Sequence, residues 1–318
     1  MDLVGLEANP VPNGAVSGSI MTADGVKLRF ARWRPTARRA HGTVCLLHGR
    51  AEQIEKYFEV VGDLRRRGFA VATFDWRGQG GSQRQLRNWR KGHVDSFADY
   101  DRDLDAFMQN VALPDCPPPY FALAHSTGGL VCLRAAFSGR VRFTRMVLAA
   151  PLVGLGPKSV SQPMACRSAA IMTALGFGEL NAPGTKGTSL EEVAFADNFL
   201  TGDSRRYERN VDIVTKTPDF AIGAPTVGWL YAACRAMREA SDPDFGPSIK
   251  VPVLVVAGAL DEVVSIGAIE TLVAELRAGA KIVITGSRHE IMMERDVIRE
   301  QFWAAFDAFV PGSQASRT

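Results

Sequence analysis

The chain has 318 residues, of which 46% are hydrophobic and 22% are charged, with 37 basic and 34 acidic side chains. This composition is typical of a globular protein with one large domain or one domain with an insertion. It excludes a disordered, collagen-like or disulfide-scaffold protein. The formal charge of +3 is too balanced to indicate nucleic acid as the main partner. The sequence shows no signal peptide and no run of 18 apolar residues, so we expect a cytoplasmic protein.

The five cysteines form no CxxC pair and no Cys/His cluster with the spacing of a zinc site. Cys45 and Cys132 lie in apolar runs, where a buried free thiol is the simplest interpretation. We therefore expect no disulfides, a reducing compartment and no metal ion.

The predicted elements begin with a β-hairpin. Apolar and polar residues alternate over Val26–Ala31, directly after the turn sequence Asp24-Gly25. Six short apolar runs without alternation follow, which is typical of strands buried on both faces of a parallel sheet. These runs are Thr43–Leu47, Ala70–Phe74, Tyr120–Ala124, Met146–Ala150, Val253–Ala257 and Lys281–Ile284.

Segments with helical spacing of their apolar residues separate most of these strands. They begin near Ile54, Phe97, Ile269 and Ile298. Strands that alternate with helices predict an α/β protein, with a mostly parallel central sheet flanked by helices.

The interval Pro151–Lys250 breaks this pattern, because it contains helical pieces and Pro/Gly-rich joints but no clean strand run. We expect an inserted helical cap, since α/β proteins bind ligands outside the carboxyl ends of their strands. Extra helices packed at the edge of the sheet are the alternative. The predicted boundaries are 17–154 and 249–310 for the core, 155–248 for the cap, and 1–16 and 311–318 for flexible termini.

The strongest local signal is Ala124-His-Ser-Thr-Gly-Gly129. An apolar strand runs into Ser126 and small residues then open a helix, which is the context of a G-x-S-x-G nucleophile elbow. Such a turn strains the backbone and exposes the Ser126 hydroxyl above the sheet. Ala124 replaces the first glycine of the pattern, so we expect a slightly crowded elbow. A helix N-cap is the alternative role for Ser126.

A serine nucleophile needs a base, and the base needs an orienting acid. His289 lies in the loop after the last apolar strand, and Asp261 directly follows the strand before it. Both are therefore expected at the same edge of the sheet as Ser126. Their chain order is that of nucleophile, acid and base in α/β-hydrolases. Glu262 is the alternative acid, and His125 is expected to point away from the elbow.

The oxygen of a tetrahedral intermediate needs N–H donors, each worth roughly 3 kcal/mol of the barrier. We expect one from the backbone of Thr127, directly after the nucleophile. The other is expected from the backbone of Arg50, in the loop after the strand Thr43–Leu47.

Five segments carry a family resemblance. They are Leu46–Gln53, Phe74–Ser82, Ala124–Gly129, Gly258–Asp261 and Ser287–His289. Together they resemble the serine α/β-hydrolases, in particular the monoacylglycerol lipases and bacterial lysophospholipases that are often filed with the S33 serine aminopeptidases. The resemblance extends from about Ser17 to Val310 and is weakest in the insertion.

The resemblance implies a cofactor-free serine esterase that forms an acyl-enzyme on Ser126, with Asp261 as the acid and His289 as the base. The Arg50 and Thr127 amides would form its oxyanion hole. Lysophospholipids or monoacylglycerols are the implied substrates. Arg50 departs from the monoacylglycerol lipases, which carry a small residue there, and this bears on the shape of the acyl pocket.

Large apolar residues of the insertion, among them Trp229, Phe199 and Met164, are predicted to bind the acyl chain, although core packing alone explains most such residues. Basic residues around Trp89 predict peripheral contact with the inner membrane surface, with a solvated loop as the alternative. We thus expect a small-molecule lipid or ester substrate and no nucleic acid. The sequence leaves the oligomeric state open.

Two other functions stay open at this point. One is peptidase or acyltransferase activity with the same three residues. An aminopeptidase needs an acidic group for the amine of its substrate, and the sequence does not place the candidates Glu191, Glu192 and Asp242. The other is a non-catalytic binding protein on a hydrolase fold.

Overall fold

One mixed sheet organises the chain in the computed structural model, which describes residues 2–36, 40–140, 143–157, 161–183, 185 and 187–313. Within these residues the sheet has eight strands in the order β1-β2-β4-β3-β5-β6-β7-β8. The strands are β1 (Val16–Met21), β2 (Lys27–Trp33), β3 (Thr43–Leu47), β4 (Ala70–Phe74), β5 (Tyr120–His125), β6 (Arg145–Ala149), β7 (Val253–Gly258) and β8 (Gly279–Ile284). Strands β3 to β8 are parallel, whereas β1 and β2 are antiparallel to their neighbours.

The apolar runs of the sequence form strands as predicted. β1 and β2 pair as a hairpin around Gly25, whose φ of +79° suits glycine. Every residue of β3, β4 and β7 is buried, as expected for inner parallel strands. The prediction of burial on both faces is wrong for β8, where Ile282 and Val283 are 40% and 38% exposed. β8 is the last strand of the sheet, so its neighbours cover it incompletely.

Helices cover the sheet and fill the segment between β6 and β7. They are α1 (Phe58–Arg66), α2 (Phe97–Phe107), α3 (Leu113–Asp115), α4 (Thr127–Phe137), α5 (Gln162–Ala174), α6 (Ser204–Lys216), α7 (Val227–Ala240), α8 (Phe245–Ser248), α9 (Ile266–Glu275) and α10 (Asp296–Phe309). A 3-10 turn, Ile54–Tyr57, precedes α1. None of the helices in the described residues is long and apolar enough to span a bilayer.

A capping box begins α2. The Ser96 hydroxyl accepts a hydrogen bond from the Ala98 amide, and the Asp99 carboxylate accepts one from the Ser96 amide. Two backbone N–H groups at the start of the helix gain acceptors in this way. The helix therefore begins at the residue where its apolar spacing starts.

We call the helical segment α5 to α8 the cap segment. It lies between β6 and β7, and the described part of it contributes no strand to the sheet. Ion pairs attach α6 to the core: the Arg206 guanidinium lies 2.6 Å from carboxylate oxygens of both Glu59 in α1 and Asp296 in α10. The exact boundaries of a cap domain stay a prediction.

A disulfide joins Cys166 in α5 to Cys234 in α7, so the expectation of no disulfides is wrong. The two residues are 68 positions apart in the chain, but the packing of α5 against α7 brings their Cα atoms to 5.6 Å. Spacing in the sequence carries no signal for such a pair. The thiols of Cys45, Cys116 and Cys132 are free and buried.

The N-terminal residues contact the core, although the sequence predicts a flexible terminus there. The Val4 amide and the Asn9 side chain donate hydrogen bonds to Glu55, and the Trp33 indole donates one to the Pro12 carbonyl. At the other end, residues 314–318 lie outside the described residues.

Candidate active site

Ser126 occupies the sharp turn between β5 and α4. Its φ of +48° and ψ of −114° are strained for a residue with a side chain. Gly128 permits the turn, because a Cβ atom there would lie 2.5 Å from the carbonyl oxygen of Leu47. The Ser126 side chain makes no capping hydrogen bond to α4. The turn therefore directs the hydroxyl away from the helix it precedes.

The structure brings Ser126, His289 and Asp261 together. The His289 Nε2 atom lies 3.1 Å from the Ser126 hydroxyl, and its Nδ1 atom lies 2.7 Å from a carboxylate oxygen of Asp261. All three residues are buried. Because an ionised carboxylate accepts only, Nδ1 carries the proton, and Nε2 is left to accept from the serine.

The Asp261 carboxylate is held in its ionised form. Burial alone would raise the pKa of Asp261, but the hydrogen bond from His289 lowers it below its usual value. The backbone amides of Val263 and Val264 also donate to this carboxylate, at 2.8 and 3.1 Å. Asp261 can therefore fix the imidazole and stabilise its positive charge during a reaction.

The loop after β3 packs directly on this turn. A Cβ atom on Gly49 would lie 3.2 Å from the Ser126 Cβ atom. The Gly49 amide donates to Glu52 and the Ala51 amide donates to Gln79, both at 2.5 Å. Between them, the Arg50 amide has no acceptor in the described part of the chain.

The Thr127 amide, at the first position of α4, is equally without an acceptor among those residues. The two donors predicted for an oxyanion hole are thus unsatisfied backbone N–H groups on segments that adjoin Ser126.

Behind the site lies a buried charge network, which we define as Glu52, Lys56, His125 and Glu290. The Lys56 ammonium lies 2.8 Å from Glu52 and 2.6 Å from Glu290. The Glu52 carboxylate also accepts from Tyr57 at 2.8 Å. This network connects the loop that carries Arg50 with the loop that carries His289.

The ring of His125 lies between Glu52 and the backbone of His289, and both of its hydrogen-bond partners are acceptors. Nδ1 lies 3.2 Å from a Glu52 oxygen and Nε2 lies 3.3 Å from the backbone carbonyl of His289. Burial alone would lower the pKa of His125, but the Glu52 carboxylate raises it above its usual value. The doubly protonated ring is the species that satisfies both acceptors.

The sequence did not indicate the roles of Glu52, Lys56 and Glu290. A Glu and a Lys four residues apart, directly after the predicted oxyanion loop, are a signal that could have indicated a pair. Such pairs occur on many exposed helices, however. The sequence does not show that this one is buried, because burial here depends on how several loops pack together.

The residues predicted to bind an acyl chain lie in different surroundings. Trp229 is buried, donates to the Tyr100 hydroxyl at 3.0 Å, and has its ring 5.3 Å from the Arg50 guanidinium. Phe199 lies next to Leu200, whose carbonyl accepts from the Glu290 amide in the loop that carries His289. Met164 is 60% exposed on α5. Their role in binding stays a prediction.

Three of the basic residues around Trp89, which are predicted to contact a membrane, have partners in the cap segment. Arg84 donates to the Asp219 carbonyl, and Lys91 donates to the Glu179 carbonyl at 2.7 Å. Arg90 lies 2.6 Å from Glu192. These cations connect the loop after β4 to the cap segment.

The chain is similar to a known protein family over most of its length. A family model described as serine aminopeptidase, S33, matches residues 38–296. The chain belongs to this family. Lysophospholipase L2 of Escherichia coli strain K12 is 30% identical over 293 residues, which are 87% of this chain and 82% of that protein. The monoglyceride lipase of Rattus norvegicus is 29% identical over 142 residues, which are 45% of each chain.

Among solved structures, a soluble variant of monoglyceride lipase from Saccharomyces cerevisiae superposes with a TM-score of 0.72 at 18% identity. The match covers 95% of this chain and 96% of that one. The fold is therefore that of the α/β-hydrolases, as predicted. The family and these relatives identify the protein as an ester-hydrolysing enzyme.

Proposed function

We propose that this enzyme hydrolyses a monoacyl lipid ester, a lysophospholipid or a monoacylglycerol, through an acyl-enzyme on Ser126. One observation carries the proposal: the chain of contacts from the Ser126 hydroxyl through the His289 ring to the Asp261 carboxylate. The relatives named lysophospholipase and monoglyceride lipase support the substrate class.

The geometry supports a two-step reaction. His289 Nε2 takes the proton of Ser126 as its oxygen attacks the ester carbonyl, and the Arg50 and Thr127 amides donate to the resulting oxyanion. The imidazolium then gives its proton to the departing alcohol as the carbon–oxygen bond breaks. In the second step His289 takes a proton from water, the hydroxide attacks the acyl-enzyme, and the proton returns to Ser126 as the fatty acid leaves.

The direct test replaces Ser126 with alanine and measures turnover of a soluble 1-octanoylglycerol. We expect kcat to fall by at least ~1000-fold, since the nucleophile is lost. A fluorophosphonate probe should label the unaltered enzyme and leave Ser126→Ala unlabelled. Ser138→Ala, at the opposite end of α4, is the matched control and should keep both properties. Undiminished hydrolysis by Ser126→Ala would refute the proposal.

Two further measurements separate this function from the alternatives that the sequence leaves open. Turnover of aminoacyl naphthylamides in place of lipid esters would favour a peptidase, and absence of probe labelling would favour a binding protein. Glu191 and Glu192, two candidates for holding a substrate amine, instead lie 3.7 and 2.6 Å from the Arg90 guanidinium. This arrangement favours the esterase.

The cytoplasmic location with contact at the inner membrane surface, which the sequence predicts, stays a prediction. The Cys166–Cys234 disulfide argues against it, because disulfides persist mainly in oxidising compartments. Thiol labelling of these two cysteines in intact cells and in separated fractions tests the location. Free thiols in a cytoplasmic fraction would support it, and a disulfide in an extracytoplasmic fraction would refute it.

A further inference from the structure

We propose that the side chain of Arg50 binds a phosphate on the alcohol part of the substrate, so that the enzyme prefers lysophospholipids to neutral monoacylglycerols. This inference rests on the proposed function. It adds a binding role for the guanidinium to the oxyanion role of the backbone amide of the same residue.

The side chain of Arg50 extends from the loop after β3 to the cap segment. The residue directly follows Gly49, which packs on Ser126. Its side chain extends towards the cap segment, where Nη2 donates to the Gly223 carbonyl at 2.6 Å and the guanidinium lies over the Trp229 ring. Nη2 also lies 3.9 Å from the point where a Cβ atom on Gly92 would stand. The cation thus lies between the loop after β3, the loop after β4 and the cap segment.

Arg50, which is only partly buried, differs from three fully buried arginines of this fold. Arg29, Arg77 and Arg299 are buried, and each lies within ion-pair distance of two or more carboxylates. Their partners include Glu55 and Asp75 for Arg29, Asp24 and Asp103 for Arg77, and Glu59 and Asp63 for Arg299.

Arg50, in contrast, has no carboxylate within ion-pair distance in the residues that the structure describes, and its buried Nε atom has no hydrogen-bond partner there. Removing a charge even partly from water without an opposite charge nearby is unfavourable. The missing anion is one that a ligand can supply.

The cation persists at neutral pH. Burial lowers the pKa of Arg50 to about 10, which leaves the guanidinium charged. The face of Trp229 compensates part of the charge, and the Gly223 carbonyl uses one of the five N–H groups. A guanidinium with unused donors fits phosphate, which accepts from two N–H groups at once.

The chemistry of the ester selects phosphate over other anions. The acyl chain of a lipid ester is apolar, and the oxyanion formed during the reaction faces the backbone amides. In a lysophospholipid the remaining anion is the phosphate, which is one glycerol unit away from the ester. The guanidinium belongs to the same residue as one of the proposed oxyanion donors, so we expect it to meet that group when the ester carbonyl faces Ser126.

The experiment compares two soluble substrates that differ only in the phosphate, 1-octanoylglycerol and 1-octanoylglycerol 3-phosphate, both below their micellar concentrations. We expect the ratio of their kcat/KM values to favour the phosphate ester in the unaltered enzyme. In Arg50→Gln this ratio should fall at least tenfold, mainly through KM of the phosphate ester. Arg50→Lys should retain part of the preference. Arg84→Gln is the matched control, since Arg84 also donates to a carbonyl of the cap segment and should keep the ratio.

A second measurement identifies the source of the phosphate. Glycerol 3-phosphate should inhibit hydrolysis of a p-nitrophenyl ester competitively, and Arg50→Gln should weaken this inhibition. Inhibition by inorganic phosphate with an unchanged substrate ratio would indicate a site for free phosphate and overturn the inference.

The remaining outcomes are distinct. Equal losses on both substrates in Arg50→Gln would assign the side chain a structural role and overturn the inference alone. Failure of the unaltered enzyme to hydrolyse either lipid would overturn the proposed function and the inference together.

Discussion

The sheet and the cap segment hold their shape by different means. At the carboxyl edge of the sheet, Ser126, Asp261 and His289 are buried and fixed by hydrogen bonds of 2.7–3.1 Å. In α5 of the cap segment, Ala165 and Ala169 are buried, whereas several large apolar residues are exposed. Ion pairs attach this segment to the core, and a disulfide joins two of its helices, α5 and α7. The predicted catalytic residues are therefore fixed at the edge of the sheet, and we expect the cap segment to be the part that adapts to the substrate.

Three changes test this difference between the sheet and the cap segment. Removal of the charge of Glu52 should have the largest effect. In Glu52→Gln the Gly49 amide, Lys56 and His125 lose a common anion. Breaking a buried ion pair costs about 3–5 kcal/mol, and a small displacement of catalytic groups can cost ~100-fold in rate. We expect the free energy of unfolding and kcat both to fall. Glu191→Gln in the cap segment is the control, and equal effects of the two changes would contradict the comparison.

The effect of Glu52→Gln on stability should also depend on pH. The pKa of His125 is raised in the folded protein, so the stabilisation from its charged form is complete below ~6.5 and is lost as pH rises through the raised value. Lys56 opposes this shift and Glu290 supports it. Urea unfolding from pH 6 to 9 should show the gap between the unaltered protein and Glu52→Gln shrinking as pH rises. A gap that stays constant over this range would show that His125 is neutral.

The sequence predicts the sheet and the three site residues because both follow local rules. Thr43–Leu47 and Ala70–Phe74 are wholly apolar, and their predicted bounds coincide with β3 and β4. Side chains after parallel strands meet at one edge, which places Ser126 and Asp261 without any knowledge of loops.

Long-range packing explains what the sequence does not predict. Whether Glu52 is buried, or Cys166 meets Cys234, depends on contacts between segments far apart in the chain. Arg50 illustrates the same limit: the sequence marks it as unusual, but only the folded chain shows that no carboxylate of the described residues lies beside it.

Breaking the disulfide should have an intermediate effect that is confined to stability. A bond that closes a loop of 68 residues typically stabilises a protein by about 2–4 kcal/mol. We expect Cys166→Ser to lower the free energy of unfolding by this amount while kcat on a soluble ester changes less than twofold. Cys116→Ser, which alters a free thiol, tests whether loss of any cysteine has the same consequence. A large loss of kcat in Cys166→Ser would show that the cap segment fixes the site after all.

The smallest effect is expected at the ion pair between Arg90 and Glu192, which links the loop after β4 to the cap segment. Both side chains are exposed, and exposed pairs contribute roughly 0.2–1 kcal/mol. A double-mutant cycle with Arg90→Ala and Glu192→Ala should give a coupling energy in this range that declines with added salt. Arg87→Ala, an exposed arginine of the same loop, is the control for loss of charge alone. Coupling well above this range would mean that the cap segment is held as firmly as the core. Coupling near zero, combined with weaker binding of Arg90→Ala to anionic vesicles, would support the membrane contact that the sequence predicts for Arg90.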